Sequence, residues 1–399
     1  MNVVVIGAGL AGAKAVEELR EQGYDDDVVL VGAEQHRPYE RPPLSKGLLL
    51  GTDEPDAPFV HDAGWYADHG VELVTGDPVT ALDVAGRTVG LGDRTISYDR
   101  LLLATGARPR RLAMVDESGA EVSYLRTLEE SLSLKERLGG ELLVIGAGWI
   151  GLEVASAARN AGGRVTVVET AELPLLRVLG PEVAASFADL HREHGVDLRL
   201  HSGLDSLAVE GGRTTARLSD GHELQPDLVV VGIGVGPDDG LAAAAGLATD
   251  NGVLVDAALR TEAAEVWAAG DVANHDHPTL GRIRVEHWDN AIQQGKHAAR
   301  ALLGDDAPYE RQPYFFTDQY DLGMEYVGHV GPGGYDEVVV RGDLSGDRVF
   351  TALWLKDGRV VAGMHANDWD AIDPLRKVVG TEATDRVRDP SVALADLTG

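Results

Sequence analysis

One glycine spacing occurs twice in this chain, and both times it sits in the same kind of surroundings. GAGLAG runs from Gly7 to Gly12 directly after the apolar stretch Val3, Val4, Val5, Ile6, and GAGWIG runs from Gly146 to Gly151 after Leu142, Leu143, Val144, Ile145. A buried strand, a tight turn and a helix account for each, with the helices ending near Gln22 and Asn160. Each unit returns through a second apolar strand, Val28–Val31 or Val165–Val168, and then reaches an acid, Glu34 or Glu169. In such a unit the first glycine permits the turn, the second lets backbone approach a pyrophosphate, and the third lets the helix pack on the sheet. The pyrophosphate rests on N–H groups at the positive end of the helix, and the acid accepts the ribose hydroxyls of an adenosine. A single GxGxxG is a common loop. Two copies, each with strand, helix, strand and acid in order, predict two Rossmann-like dinucleotide-binding domains in an α/β chain.

With 399 residues there is room for two to four domains at roughly 100–200 residues each. The chain has no cysteine, which removes structural disulfides, thiolate metal sites and any redox-active thiol pair. No metal site is expected. Against 65 Asp and Glu there are only 35 Lys and Arg, a formal net charge of -30, so nucleic acid and anionic membrane surfaces are excluded as partners. A strand beginning at Asn2 with no basic segment before it argues against a signal peptide. No apolar run reaches the ~18–20 residues that cross a bilayer. A cytoplasmic protein is the expectation, with monomer and homodimer both open.

Further signatures order the domains. Thr261, Glu262 and then Trp267, Ala268, Ala269, Gly270, Asp271 read as a short strand, Glu265–Ala269, ending in Gly and Asp ahead of another helix. Together with Ala104, Thr105, Gly106 after the strand Leu101–Leu103, this predicts one nucleotide domain interrupted by the other. The boundaries expected are 1–110 and 238–309 for the first domain, 111–237 for the second, and 310–399 for a C-terminal α+β domain. The last has short alternating segments at Glu337–Val340, Val349–Leu355 and Val360–Met364 and a helical tail.

Two adenosine dinucleotides in one chain are most useful when one is a flavin and the other delivers a nicotinamide to it, FAD and NADH. Asp271, placed at the N-terminus of a following helix, would hold flavin ribityl hydroxyls, although Asp is also an ordinary helix cap. PYERPPLSK from Pro38 to Lys46, EHWDNAIQQG from Glu286 to Gly295, YLRTLEES from Tyr124 to Ser131 and YFFTDQYD from Tyr314 to Asp321 are more specific than the glycines. On these segments the whole chain resembles the FAD-dependent ferredoxin and rubredoxin reductases, the NAD(P)H-oxidising components of bacterial cytochrome P-450 and ring-hydroxylating dioxygenase systems. The resemblance implies a glutathione-reductase-like pair of nucleotide domains with a C-terminal domain that helps receive the electron acceptor. It implies FAD contacts from Gly7, Gly9, Ala11, Gly12, Glu34, Arg41, Lys46, Val79, Arg126, Asp271 and Trp288. On the nicotinamide side it implies Gly148, Trp149, Ile150, Gly151, Glu153, Glu169 and Gly234. The partner implied is a ferredoxin, [2Fe-2S] or another iron-sulfur carrier.

The residues themselves are compatible with those roles. Lys46 follows the rigid Pro42, Pro43 segment, so its ammonium can be aimed with little entropy loss at a flavin N5. Glu153, in the first turn after the second glycine loop, can pair with Lys46 and face the nicotinamide; these two form the candidate catalytic pair. The bland alternatives are an exposed lysine and a glutamate that merely favours a helix N-terminus. Trp288 either covers part of the flavin or is a buried interface residue. Glu169 hydrogen-bonds a ribose hydroxyl and repels a 2′-phosphate, which favours NADH over NADPH, with Arg177 the nearest basic residue downstream. Without cysteine, disulfide reductase and thiol peroxidase reactions are closed. What remains is hydride transfer from NADH to flavin and single-electron transfers to an iron-sulfur protein. Alternatives are another acceptor, such as a quinone, rubredoxin or monodehydroascorbate, or an NADH-sensing flavoprotein. Arg108, Arg110, Arg111 and Arg376, Lys377 are the basic clusters available for docking an acidic ferredoxin.

Overall fold

The computed structural model describes residues 1–331 and 333–397. The chain divides into two compact units. The first comprises Met1–Arg41, Asp56–Arg108 and Val235–Pro313; the second comprises Pro42–Pro55, Pro109–Gly234 and the chain from Tyr314. The proline turn that carries Lys46 therefore groups with the second unit, although it lies inside 1–110.

Each unit is built on a five-stranded parallel sheet, and the two sheets share one logic. In the first, Val3–Ile6 lies between Val28–Val31 and Arg100–Leu103, with Val71–Val74 and Val266–Ala268 at the edges. In the second, Glu141–Ile145 lies between Arg164–Val168 and Leu228–Val231, with Asp197–Arg199 and Val122–Ser123 outside them. The central strands are buried along their length, Val3, Val4 and Val5 at 0% exposure, because packing on both faces of a parallel sheet demands continuous rather than alternating apolar residues. Part of that cover comes from small antiparallel sheets, through Val89, Leu91 and Ile96 in the first unit and Leu207, Ala216 and Leu218 in the second. In both sheets the glycine-loop strand sits in the middle, so its C-terminal end opens beside the returning strand, where α/β sheets bind ligands.

The helices after the glycine loops are Leu10–Glu21 and Trp149–Asn160, within a residue of the expected ends. Leu10–Glu21 packs against the long helix Trp288–Leu302. That approach depends on Gly295, since a Cβ there would lie 2.4 Å from the carbonyl oxygen of Ala11. One expectation fails here. Asp271 does not cap a helix: it lies in the single 3-10 turn Gly270–Val272, which leads straight into the strand Ala273–His277. The helix the WAAGD segment was expected to open begins only at Trp288, and its Gln294 holds the turn by accepting from the N–H of Gly270 at 2.9 Å.

The C-terminal part is a five-stranded antiparallel sheet in the order Tyr314–Gln319, Leu322–Gly328, Arg359–Ala366, Phe350–Lys356, Glu337–Gly342. Its tail is the helix Ile372–Val378 and two short 3-10 turns. Two small antiparallel sheets, Ala81–Ser97 and Leu204–Leu224, were not foreseen. Among the described residues, no helix is long and apolar enough to cross a membrane.

Candidate functional site

The two glycine loops use their three glycines for different reasons, and the reasons repeat. Gly7 and Gly146 have φ of +116° and +98°, and a Cβ would lie 2.0 Å from the Ala104 oxygen at the first and 2.5 Å from the Gly232 oxygen at the second. The third glycines, Gly12 and Gly151, would strike the carbonyl oxygens of Gly7 and Gly146 at 2.0 and 2.1 Å. Their first constraint is thus the turn itself, with the sheet side chains Leu30 and Val144 next at 3.2 and 3.3 Å. The middle glycines differ. A Cβ on Gly9 would meet nothing within 4 Å, and on Gly148 only the Gly232 oxygen at 3.8 Å.

Gly9 and Gly148 are also the N-caps of their helices, in extended backbone with no side-chain cap. The first N–H groups of each helix have no intrahelical acceptor and carry the positive end of the dipole. An open space over an uncapped 12-residue helix, kept clear of side chains, fits a pyrophosphate in each unit.

The acids diverge. Glu34 accepts from Arg41 Nη2 at 2.8 Å and from the Tyr39 hydroxyl, and Arg41 Nη1 reaches the Tyr39 oxygen at 3.2 Å. Burial works against the Arg41 cation, but Tyr39 and Glu34 outweigh it and hold its pKa above the usual value. Glu169 is held by neutral donors: the N–H of Ala147, within the glycine loop, at 2.9 Å, the N–H of Ala171 at 2.9 Å and the Thr170 hydroxyl at 3.2 Å. A carboxylate oxygen has two lone-pair sites, so both acids keep acceptor capacity for a ribose. Arg177 is exposed on the helix Leu176–Glu193.

In the second unit, Lys46 Nζ lies 2.7 Å from Glu153 Oε1. The 3-10 turn Pro42–Leu44 ends just before Ser45 and Lys46, with the N–H of Lys46 bonded back to the Pro43 oxygen at 3.2 Å. Glu153 is 3% exposed and is the fifth residue of its helix rather than part of the first turn, so a helix-dipole preference does not explain it. Lys46 is not a solvated lysine either, with its side chain 16% exposed. Two further donors complete the carboxylate: Ser45 Oγ to Oε2 at 2.5 Å and Thr317 Oγ1 to Oε1 at 2.5 Å. The Lys46 ammonium also stands 5.2 Å from the ring centre of Phe316. Such saturation is what keeps a buried ion pair from being a net burden.

The other candidates divide between the two units. In the first unit, Ala11 is buried in the glycine-loop helix, Val79 is half-buried in the coil between Val71–Val74 and Ala81–Asp83, and Trp288 donates from Nε1 to Glu40 Oε2 at 2.9 Å. In the second, Arg126 precedes a helix capped by Thr127, its N–H donating to Glu130 Oε2 at 2.8 Å, and Gly234 has φ +91° with open space at its Cβ. Trp149 packs on Phe315 and Phe187, at 5.2 and 5.9 Å between ring centres, while Ile150 is 40% exposed.

Sequence reasoning missed Ser45 and Thr317. Thr317 had a signal: the strand Tyr314–Gln319 alternates, and its core-facing positions are Phe315, Thr317 and Gln319. Polar residues on the buried face of a strand need partners. The arginines expected to form a docking patch are exposed but paired, Arg108 with Asp238 at 2.7 Å, Arg111 with Asp116 at 2.8 Å and Arg376 with Asp373 at 3.5 Å.

Residues 1–295 match the family described as pyridine nucleotide-disulphide oxidoreductase, and residues 314–398 match that described as Reductase C-terminal. The chain belongs to the pyridine nucleotide-disulphide oxidoreductase family, in a form that has no cysteine. It is 39% identical to the ferredoxin--NAD(+) reductase component of an anthranilate 1,2-dioxygenase system from Burkholderia cepacia, over 98% of each chain. Among solved structures it resembles the ferredoxin reductase for the CYP199A2 system from Rhodopseudomonas palustris, with TM-score 0.94, 37% identity and full coverage of both chains. The reductase of a covalent putidaredoxin reductase-putidaredoxin complex matches with TM-score 0.93 and 36% identity, over 99% of this chain and 97% of the other.

Proposed function

We propose that this chain is an FAD-dependent NADH:ferredoxin oxidoreductase that feeds electrons to an iron-sulfur protein of a monooxygenase or dioxygenase system in the cytoplasm. The observation that carries it is the pair of open middle glycines, Gly9 and Gly148, over uncapped helices in a chain that has no thiol to accept electrons. Relatives named as ferredoxin reductase components, alike over nearly their whole length, support it.

FAD belongs to the domain formed by 1–110 and 238–309 and NADH to that formed by 111–237, with 310–399 completing the acceptor side. Held there, NADH would supply a hydride and FAD would convert that electron pair into single-electron transfers. Gly7, Gly9, Ala11 and Gly12 cradle the FAD pyrophosphate, and Glu34, Arg41, Val79, Arg126, Asp271 and Trp288 contact the rest of that cofactor. Glu34 carries a compensating cation in Arg41, so its ribose contact sits in a locally neutral setting. Gly148, Trp149, Ile150, Gly151 and Gly234 line the NADH site. Glu169, held only by neutral donors, presents uncompensated negative charge to the adenosine ribose. It accepts a hydroxyl and repels a phosphate, which selects NADH.

Lys46 follows two prolines and the 3-10 turn they open, which stiffen the chain that carries it. Glu153 fixes its ammonium by the 2.7 Å bond. The pair is neutral as a whole and would offer polar contacts to a bound ring. Because Arg108, Arg111 and Arg376 are ion-paired, they make a weakened basic patch, and docking of the iron-sulfur partner relies more on apolar contact. NADH-driven cytochrome c reduction tests the acceptor: added ferredoxin should accelerate it, and ferredoxin-independent rates throughout would favour a quinone or another acceptor.

A further inference from the structure

We propose that Tyr320, His191, Gln319 and Thr317 form a one-way chain of hydrogen-bond donors that positions the Glu153 carboxylate against Lys46, making His191 a positioning residue for that pair. The links are Tyr320 Oη to His191 Nδ1 at 3.4 Å, His191 Nε2 to Gln319 Oε1 at 2.8 Å, Gln319 Nε2 to Thr317 Oγ1 at 3.2 Å and Thr317 Oγ1 to Glu153 Oε1 at 2.5 Å. Thr317, Gln319 and His191 are buried, at 0%, 1% and 0% exposure, so water does not compete for the three inner bonds.

The direction of every link follows from its end. Glu153 faces the Lys46 ammonium and is an acceptor, so Thr317 must spend its one proton on it. Thr317 is then an acceptor toward Gln319, which has to turn its NH2 that way. The amide oxygen is left for His191, which must donate from Nε2 and therefore accept at Nδ1, where the Tyr320 hydroxyl arrives. The chain closes only with neutral imidazole. Burial presses the His191 pKa down to about 4, with the bond to Gln319 opposing and His194 adding to the shift. Burial likewise raises that of Tyr320, which keeps its proton. His194 stacks on the Tyr320 ring at 3.7 Å between centres and steadies the outer end. A chain containing an amide does not conduct protons readily; its work is to hold a carboxylate oxygen still and leave its charge directed at Lys46.

The proposal rests on the reading of Lys46 and Glu153 as the pair beside the cofactors. Two readouts test it, the first on the folded protein with or without FAD and the second on the FAD-loaded protein. Imidazole 15N shifts should show His191 as the neutral Nε2–H tautomer, and Thr317→Val, which frees the Gln319 amide to flip, should relax that preference toward a mixture. An unchanged tautomer in Thr317→Val would overturn the chain, because the ring would then be set by local packing alone. Anaerobic flavin bleaching by NADH should slow on the order of tenfold in His191→Phe, the usual scale for losing a partner behind a functional ligand. His191→Gln, whose amide N–H can take the place of Nε2–H, should recover most of the rate. Thr317→Val combined with His191→Phe should be no slower than the slower single variant, since both cut one chain. Additive losses, or a wild-type rate in a folded His191→Phe protein, would contradict it. Should His191→Phe fail to fold, the near-isosteric Thr317→Val carries the test alone. Failure to take up FAD at all would instead sink the functional reading, while the tautomer result would still stand or fall by itself.

Discussion

The first and second glycine loops have the same backbone and opposite electrostatics. In the first, the acid that follows the sheet is tied to a cation, Glu34 to Arg41 at 2.8 Å. In the second, Glu169 is held by amides and a hydroxyl alone, and Lys46, a largely buried cation of that unit, is paired with Glu153. On the function proposed above, both loops fit a dinucleotide, and the partner of the acid is what distinguishes the two sites. A neutralised acid suits a cofactor that stays; a bare one suits a substrate chosen by the absence of a phosphate.

The sharpest way to break the comparison is within the loops. Gly12→Ala and Gly151→Ala place a Cβ about 2 Å from a carbonyl oxygen and should each cost about 5 kcal/mol, at the severe end of single substitutions. Gly9→Ala and Gly148→Ala should keep stability within about 0.5 kcal/mol yet lose FAD retention in the first case and NADH affinity in the second. Melting curves and cofactor binding on the four variants check this. Equal destabilisation by all four would mean that the middle glycines serve the fold.

Next in size is the contrast between the two ion pairs. Lys46→Met leaves Glu153 buried without its cation and should cost about 4 kcal/mol. Arg41→Met, at a pair about a third exposed, should cost about 1 kcal/mol. Denaturant titration separates them.

Acid should weaken both units. His191 in the second unit and His275 in the first are each pressed by burial to about 4. A histidine near 6.5 when unfolded and near 4 when folded takes up its proton first in the unfolded state. Stability is then complete above about pH 6.5 and falls as pH drops toward 4, by up to about 3 kcal/mol per residue. Melting temperature against pH reads the slope, and His275→Gln should flatten it. The smallest effect is on specificity: Glu169→Gln should narrow the preference for NADH over NADPH roughly tenfold, about 1.4 kcal/mol. An unchanged ratio of kcat/KM values would remove Glu169 from the selection.

Both parallel sheets were legible because buried strands of valine and leucine, a glycine turn and an amphipathic helix are local signals. The ends of Leu10–Glu21 and Trp149–Asn160 fell where expected for that reason. The small sheets at Ala81–Ser97 and Leu204–Leu224 escaped because strands of two to seven residues, each sending at most two side chains into the core, leave almost no periodic trace. Asp271 misled through its type, since Gly-Asp before an apolar residue suits a helix cap as well as a 3-10 turn. In the site, Lys46 and Glu153 could be named from their motifs. Thr317 lies 164 residues from Glu153, and only a tertiary structure brings such a hydroxyl to its carboxylate.

The most direct test of the whole account is an anaerobic titration of the purified, FAD-loaded protein with NADH, followed by reoxidation with a ferredoxin. The visible flavin absorbance should fall on adding NADH, more readily than with NADPH, and return when oxidised ferredoxin is added. Protein that takes up no FAD, or whose flavin keeps its colour under excess NADH, would contradict it.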